Sequence, residues 1–286
     1  MIRDIAGRQN HSVKLALKLQ RKNHRRERGL LVGEGMDLLV AALAGGAEVQ
    51  DILIRRELFA DLPAVLRDRA AAPNGGLDIG ICDQPTLDYA SFLGGSADVI
   101  FMAAQPLRNL GEIDLGRQTA LFLDSVGDPG NVGTLVRSAV AFGLGGVICS
   151  PGTADAYGPK ALRGGMGAQF CIPVVTEVSP SDLEAKMAAQ AARGSAVPRV
   201  LVADASSGLD VREVAVTGGL VVVLGSERTG PLGSWKGAER VTIPQRRFDS
   251  LNVAMAGTVL VYELSRARGG KEGPGRLGLS AWKEEP

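Results

Sequence analysis

In the second half of this 286-residue chain, the stretch DSVGDPGNVGTLVRSAVAFG (124–143) leaves the apolar run Leu121-Phe122-Leu123 through a turn. Pro129 and Gly130 break the strand, and Asn131 has the side chain of a helix N-cap. Val132, Leu135, Val136, Ala139 and Val140 recur at helical spacing, predicting a helix over 131–142 with one buried face. Arg137 falls on a different line, between Gly133 and Ala141. These small neighbours let another molecule approach a planar, five-donor guanidinium. A phosphate or a nucleotide hydroxyl suits that position. The same pattern also fits a surface arginine on an ordinary helix.

Two further stretches sit in equivalent places. GSERTGPLG (225–233) follows the buried run LVVVL, and Gly225, Gly230 and Gly233 permit unusual backbone angles and close ligand approach. The spacing is near that of a dinucleotide-binding turn, but Glu227 stands where the second glycine belongs and its charge would repel a pyrophosphate. An NAD-dependent oxidoreductase is therefore disfavoured, and a ligand with hydroxyl and amino groups fits better. In IPQRRFDSLNVAMAG (243–257), Ile243 and Pro244 end a strand, Asp249 or Ser250 can cap the last helix, and Asn252 falls in its first turn. Three such loops at strand ends in one half of a chain make a composite site.

The elements that must hold these loops alternate. Apolar runs at 120–124, 146–149, 170–175, 199–203, 220–224 and 241–243 read as strands, with helices at 131–142, 181–192 and about 250–267. Uninterrupted apolar strands are those of a mostly parallel sheet covered on both faces. The first hundred residues repeat the alternation on a smaller scale. Helices are expected at 11–19, 36–46 and 58–71, and strands at 29–35, 49–54, 77–82 and 97–104. Residues 105–118 carry Pro and Gly without a period and read as a linker, and the tail from Gly269 has the composition of a disordered segment.

Composition narrows the function. The only histidines, His11 and His24, lie near the start, and Cys82, Cys149 and Cys171 are far apart. A Ser-His-Asp or Cys-His hydrolase, a disulfide framework and a zinc site are all disfavoured. No apolar run reaches the roughly 18–20 residues of a membrane span, and the N-terminus lacks the apolar core of a signal peptide, so a cytoplasmic protein is expected. Residues 1–28 carry nine Lys or Arg against Asp4 and Glu27, a basic arm able to neutralise several nucleic-acid phosphates.

Taken in order, DSVGDPGNVGTLVRSAVAFG, VVVLGSERTG and IPQRRFDSLNVAMAGTVLVYE resemble motifs one, two and three of the SpoU (TrmH-type) RNA 2′-O-ribose methyltransferases, over residues 119–267. GLLVGEGMDLLVAALAGGAEVQDILI is similar to the small substrate-binding domain that many members carry. The resemblance implies an α/β protein: a SPOUT-type α/β knot, with a deep trefoil knot, as catalytic domain over 119–268. It implies a smaller ribosomal-protein-like α/β/α substrate-binding domain over 1–106, with 107–118 as linker and 269–286 as a flexible tail.

The implied reaction is S-adenosyl-L-methionine-dependent methyl transfer to a ribose 2′-hydroxyl of RNA, with 23S ribosomal RNA favoured. A tRNA target, or an RNA-binding protein of the same fold without catalysis, is the alternative. By the same resemblance Arg137, Asn131, Glu227, Ser250 and Asn252 are the catalytic set. Leu224, Gly225, Ile243, Leu251 and Asn252 hold the cofactor, largely by backbone groups. A homodimer through the catalytic domain is implied, with no membrane association. Arg21, Lys22, Arg25, Arg26 and Arg163 are the expected RNA contacts. One position departs from the family: Gly165 stands where members usually carry serine.

Overall fold

A computed structural model describes residues 1–269 except 93, 95–96, 227–229, 236 and 248–249. Contacts divide these residues into two compact units. The first comprises Met1–Pro106 with Tyr157–Phe170, and the second comprises Leu107–Ala156 with the residues from 171 onward.

The first unit is built on a five-stranded mixed sheet of β1 (Ile2–Ile5), β2 (Leu30–Glu34), β3 (Val49–Arg55), β4 (Asp78–Cys82) and β5 (Val99–Ala104), in the order β1-β4-β3-β5-β2. β1, β4 and β3 run parallel, whereas β5 is antiparallel to both β3 and β2. Its helices are α1 (His11–Leu19), α2 (Lys22–Arg28), α3 (Met36–Ala44), α4 (Ala64–Ala71), α5 (Gln84–Ala90) and α7 (Pro159–Gly165). Asn10 caps α1 by accepting the Ser12 amide at 2.8 Å, and Val13, Ala16 and Leu19 point into a core shared with Val32, Leu53, Leu87 and Ile100. Cys82 lies in the same core, and burial pushes its thiol up to about 12.

Several sequence expectations change here. The basic stretch is no arm: β1 pairs with β4, α1 packs on α5, and α2 ends at Gly29 in the left-handed conformation. The helix expected over 58–71 is a 3-10 turn at Arg56–Asp61 followed by α4. Pro63 separates them, because the residue before a proline is pushed into extended backbone and Leu62 has ψ of 140°.

The second unit carries a seven-stranded sheet in the order β10-β12-β9-β11-β6-β7-β8, every neighbouring pair parallel. The strands are β6 (Thr119–Asp124), β7 (Gly146–Cys149), β8 (Val174–Val175), β9 (Arg199–Ala203), β10 (Leu209–Asp210), β11 (Leu220–Gly225) and β12 (Glu239–Thr242). All six residues of β6 are buried, as expected for a strand covered on both faces. One face packs Ala120, Phe122, Ile148 and Val223 against Leu183 of α8 (Pro180–Ala192), together with Ile113, Leu115 and Trp235. Ile113 and Leu115 lie in the stretch read as a linker, and they are core residues because their side chains cover this face. α6 (Pro129–Ala141) and α9 (Val253–Ala267) pack against one another. They approach closely at Gly257, where an added Cβ would lie 2.3 Å from Leu135 Cδ2 and 2.6 Å from Leu224 Cδ1. The strand expected over 170–175 is reduced to Val174–Val175. The tail beyond Gly269 lies outside the described residues, and no helix among the described residues is long and apolar enough to cross a membrane.

Candidate active site

In a parallel sheet the loops at the carboxyl ends of the strands face one side, and ligands bind there. The turn after β6 is fixed first. Ser125 has a φ of 62°, rare for a residue with a side chain, and its amide is held by Ser150 Oγ at 2.9 Å and Thr153 Oγ1 at 3.2 Å. Asp128, not Asn131, caps α6: its carboxylate accepts the Asn131 amide at 2.8 Å, and Pro129 takes the first helical position. The Asp-Pro pair starts the helix two residues earlier than expected, because proline lacks the amide that a first-turn residue would leave unpaired.

The displacement frees the Asn131 side chain for another partner. Its Oδ1 accepts Asn252 Nδ2 at 3.2 Å. Asn252 is in turn the N-cap of α9, accepting the amides of Ala254 at 2.9 Å and Met255 at 3.2 Å, so this helix starts at 253 and is not capped by Ser250, while Asp249 lies outside the described residues. A second polar rung joins the helices where Ser138 Oγ and Thr258 Oγ1 meet at 2.7 Å. The first and third motifs are thereby tied together at the start of both helices.

Arg137 is exposed on α6 and has no hydrogen-bond or ion-pair partner among the described residues. It follows Asn131 by six residues, roughly 9 Å along a helix axis.

Beside the joined helix ends lies a cleft of about 270 Å³. Leu224, Gly225, Ile243, Ser250 and Leu251 all line it, and Asn252 is the next residue along. Four of the five residues expected at the cofactor thus line one cavity, and Asn252 does not. Glu227 lies outside the described residues. The sequence reading missed the end of β9, where Ala203, Asp204 and Ala205 also line the cleft. β9 sits between β11 and β12, so its end opens where theirs do, a fact that depends on strand order and leaves no local motif. The Ser206 hydroxyl at 2.7 Å and amide at 2.8 Å, helped by Arg240, hold the Asp204 carboxyl down to about 2.

The expected RNA contacts divide. Arg21, Lys22, Arg26 and Arg163 are exposed on the first unit. Arg25 is only 3 % exposed, and its guanidinium donates to the carbonyls of Leu19 at 2.7 Å and Gln20 at 2.9 Å. It is a buried clasp on the end of α1, not a phosphate contact, because orphan carbonyls at a helix terminus attract a cation. Gly165 also has a local reason. A Cβ there would come within 2.6 Å of both terminal atoms of the Gln169 amide, and that fully buried side chain donates to Ala161 O at 2.8 Å. Glycine makes room for it where a serine would press on it.

Comparison with known proteins gives the family and the fold. Residues 118–262 match the model of the SpoU rRNA Methylase family. The 23S rRNA (guanosine(2553)-2′-O)-methyltransferase RlmP of Bacillus subtilis is 28% identical over 267 residues, covering 92% of this chain and 99% of that protein. The SpoU methyltransferase AviRb of Streptomyces viridochromogenes, solved in complex with AdoMet, superposes with a TM-score of 0.79 at 25% identity, over 92% of this chain and 100% of that one. An AdoMet-bound rRNA methyltransferase from Sinorhizobium meliloti superposes equally well, with a TM-score of 0.79 at 26% identity over 93% and 98% of the two chains.

Proposed function

The chain belongs to the SpoU rRNA methylase family, and from that premise we propose that it transfers the methyl group of S-adenosylmethionine to a ribose 2′-hydroxyl of RNA, with 23S ribosomal RNA as the target. The observation that carries the reading is the bond between Asn131 and Asn252, which sets a helix bearing an uncommitted arginine beside the cleft. RlmP, alike over nearly its full length, acts on 23S rRNA, which favours that substrate.

The cleft fits the cofactor. Leu224, Ile243, Leu251, Val253 and Leu260 supply apolar walls for a purine, while Ala203, Gly225 and Ala256 leave room for it and expose backbone groups. S-adenosylmethionine supplies a methyl group on a cationic sulfur. An alkoxide and a sulfonium cancel each other's charge, so walls that exclude water favour the transfer. Arg137 supplies a planar, five-donor guanidinium. It orients the ribose hydroxyl and stabilises the negative charge that develops on its oxygen, while the proton leaves toward the adjacent RNA phosphate. The methyl-to-sulfur bond breaks as the methyl-to-oxygen bond forms. Asn131 and Asn252 position the arginine's helix, and Ser250 shapes the cleft. We assign Glu227 to holding the arginine, by its place in the motif.

The same reading includes the trefoil thread through the segments that line the cleft, and action in the cytoplasm, where ribosomes are made. Arg21, Lys22, Arg26 and Arg163 would meet RNA phosphates. It also includes a homodimer, supported by an exposed apolar stripe on α9. There Met255, Val259 and Tyr262 are exposed at helical spacing, Met255 to 65%.

Transfer of labelled methyl from S-adenosylmethionine to total rRNA and, separately, tRNA tests the proposal. Label in rRNA that vanishes in Arg137→Ala is expected. Label confined to tRNA overturns the substrate, and cofactor binding without transfer to any RNA, including intact ribosomal subunits, overturns the activity.

A further inference from the structure

We infer that Asp124 is a positioning residue for the cofactor cleft, tying the first motif to the chain that leaves the second. This rests on the cofactor reading above. Asp124 closes β6 and is 1% exposed. Its Oδ2 accepts two donors from the far side of the second motif, the Gly233 amide at 2.9 Å and Trp235 Nε1 at 3.1 Å. Its Oδ1 faces Ser150 Oγ at 3.5 Å. No lysine or arginine neutralises it among the described residues. A buried carboxylate is costly unless donors converge on it, and here they come from the segments that follow two other strands, β7 and β11.

What it holds is a wall of the cleft. In the sheet register Asp124 lies directly opposite Gly225. From there the chain turns back at once, Ser226 and Gly230 exchanging backbone bonds of 3.2 and 2.9 Å, and Pro231 lies hard against Gly225. Gly225, Ser226, Gly230 and Pro231 all line the cleft. Two residues beyond Pro231, the Gly233 amide meets Asp124. The loop is thus fixed where it starts, by the β6–β11 pairing, and where it ends, by Asp124.

Trp235 shows what the second anchor demands. Its φ is 38°, in the left-handed region that a residue with a side chain occupies only when the surroundings impose it. Its ring stands edge-on to Phe122, with centroids 4.9 Å apart. That pose delivers Nε1 to Asp124.

The test separates positioning from bulk stability. Trp235→Phe keeps an aromatic ring against Phe122 and deletes one donor. Asp124→Asn keeps the shape and removes the charge. Phe122→Leu weakens the packing and keeps both hydrogen bonds. Calorimetry with S-adenosylmethionine, melting curves, and methyl transfer to rRNA at saturating cofactor are measured for each. In Asp124→Asn and Trp235→Phe the cofactor Kd is expected to rise tenfold or more, with kcat within threefold of the parent. In Phe122→Leu the melting temperature falls and the Kd stays within twofold. Unchanged cofactor Kd in folded Asp124→Asn and Trp235→Phe overturns the inference alone, and Trp235→Phe decides it if Asp124→Asn does not fold. No binding of S-adenosylmethionine by the parent protein overturns the cofactor reading and this inference with it.

Discussion

Asp51 in the first unit and Asp124 in the second are both buried aspartates on interior strands of their sheets, and their surroundings are opposite. Asp51 on β3 has one carboxyl oxygen, Oδ1, without a hydrogen-bond partner among the described residues. Burial, with Asp78 adding to it against the opposing Ser12 and Arg3, pushes its carboxyl up to about 6. Asp124 is more deeply buried and has both oxygens turned toward donors. Burial by itself therefore does not mark a working carboxylate. Convergent donors from separate segments do, because they spend one charge to hold several loops.

The contrast between the two units can be broken by mutation. The largest effect belongs to Arg137. Arg137→Ala is expected to lower kcat by about 10²–10³, the usual loss for a donor to a developing oxyanion, with an unchanged melting temperature because the side chain is exposed. Arg137→Lys keeps the charge without the planar fork, and full activity in it would sink the assigned role.

Next comes Asp51. Its carboxyl is raised from 3.8 to about 6 in the folded chain, so the folded form binds the proton more tightly than the unfolded. The stability this gives is fully present below pH 3.8 and is lost as pH rises through about 6. Asp51→Asn should flatten that slope in denaturant titrations and stabilise the first unit at pH 8 by about 3 kcal/mol relative to the parent. A slope that survives the substitution would show that the burial of Asp51 is not what sets it.

The third contrast lies within α2 and its start. Arg25→Ala removes a buried clasp and should cost about 2 kcal/mol of stability. Arg21→Ala and Arg26→Ala should leave stability alone, weaken rRNA binding a few-fold, and each reduce the slope of log affinity against log salt by about 1. Equal effects in all three would erase the distinction between the buried and the exposed arginines.

The sequence and the structure agree best where chemistry repeats a fixed local pattern. Leu224, Gly225, Ile243 and Leu251 could be placed around one cleft because each sits at a fixed distance from a strand end. Ala203 and Asp204 could not, since their membership depends on β9 lying between β11 and β12. Arg25 was misread because a count of charges carries no information on which guanidinium turns inward to two carbonyls. Asn131 was misread as a cap because two residues compete for that role, and Asp128 with Pro129 behind it wins. The bond from Asn131 to Asn252 spans 121 residues and is invisible to any window of sequence.

That Tyr157–Phe170 belongs to the first unit has a consequence for how the protein is made. Gly45 lies against Phe170, and Gly167 lies against Ala41 and Ala42. Those early residues leave the ribosome long before their partners, and β6, α6 and β7 must be synthesised in between. Translation therefore cannot finish the amino-terminal half before starting the other, even though domains generally fold in order of emergence. A fragment ending at Pro106 would leave Ala41, Ala42 and Gly45 facing water, so exchanging this half between relatives requires grafting two stretches of chain at once.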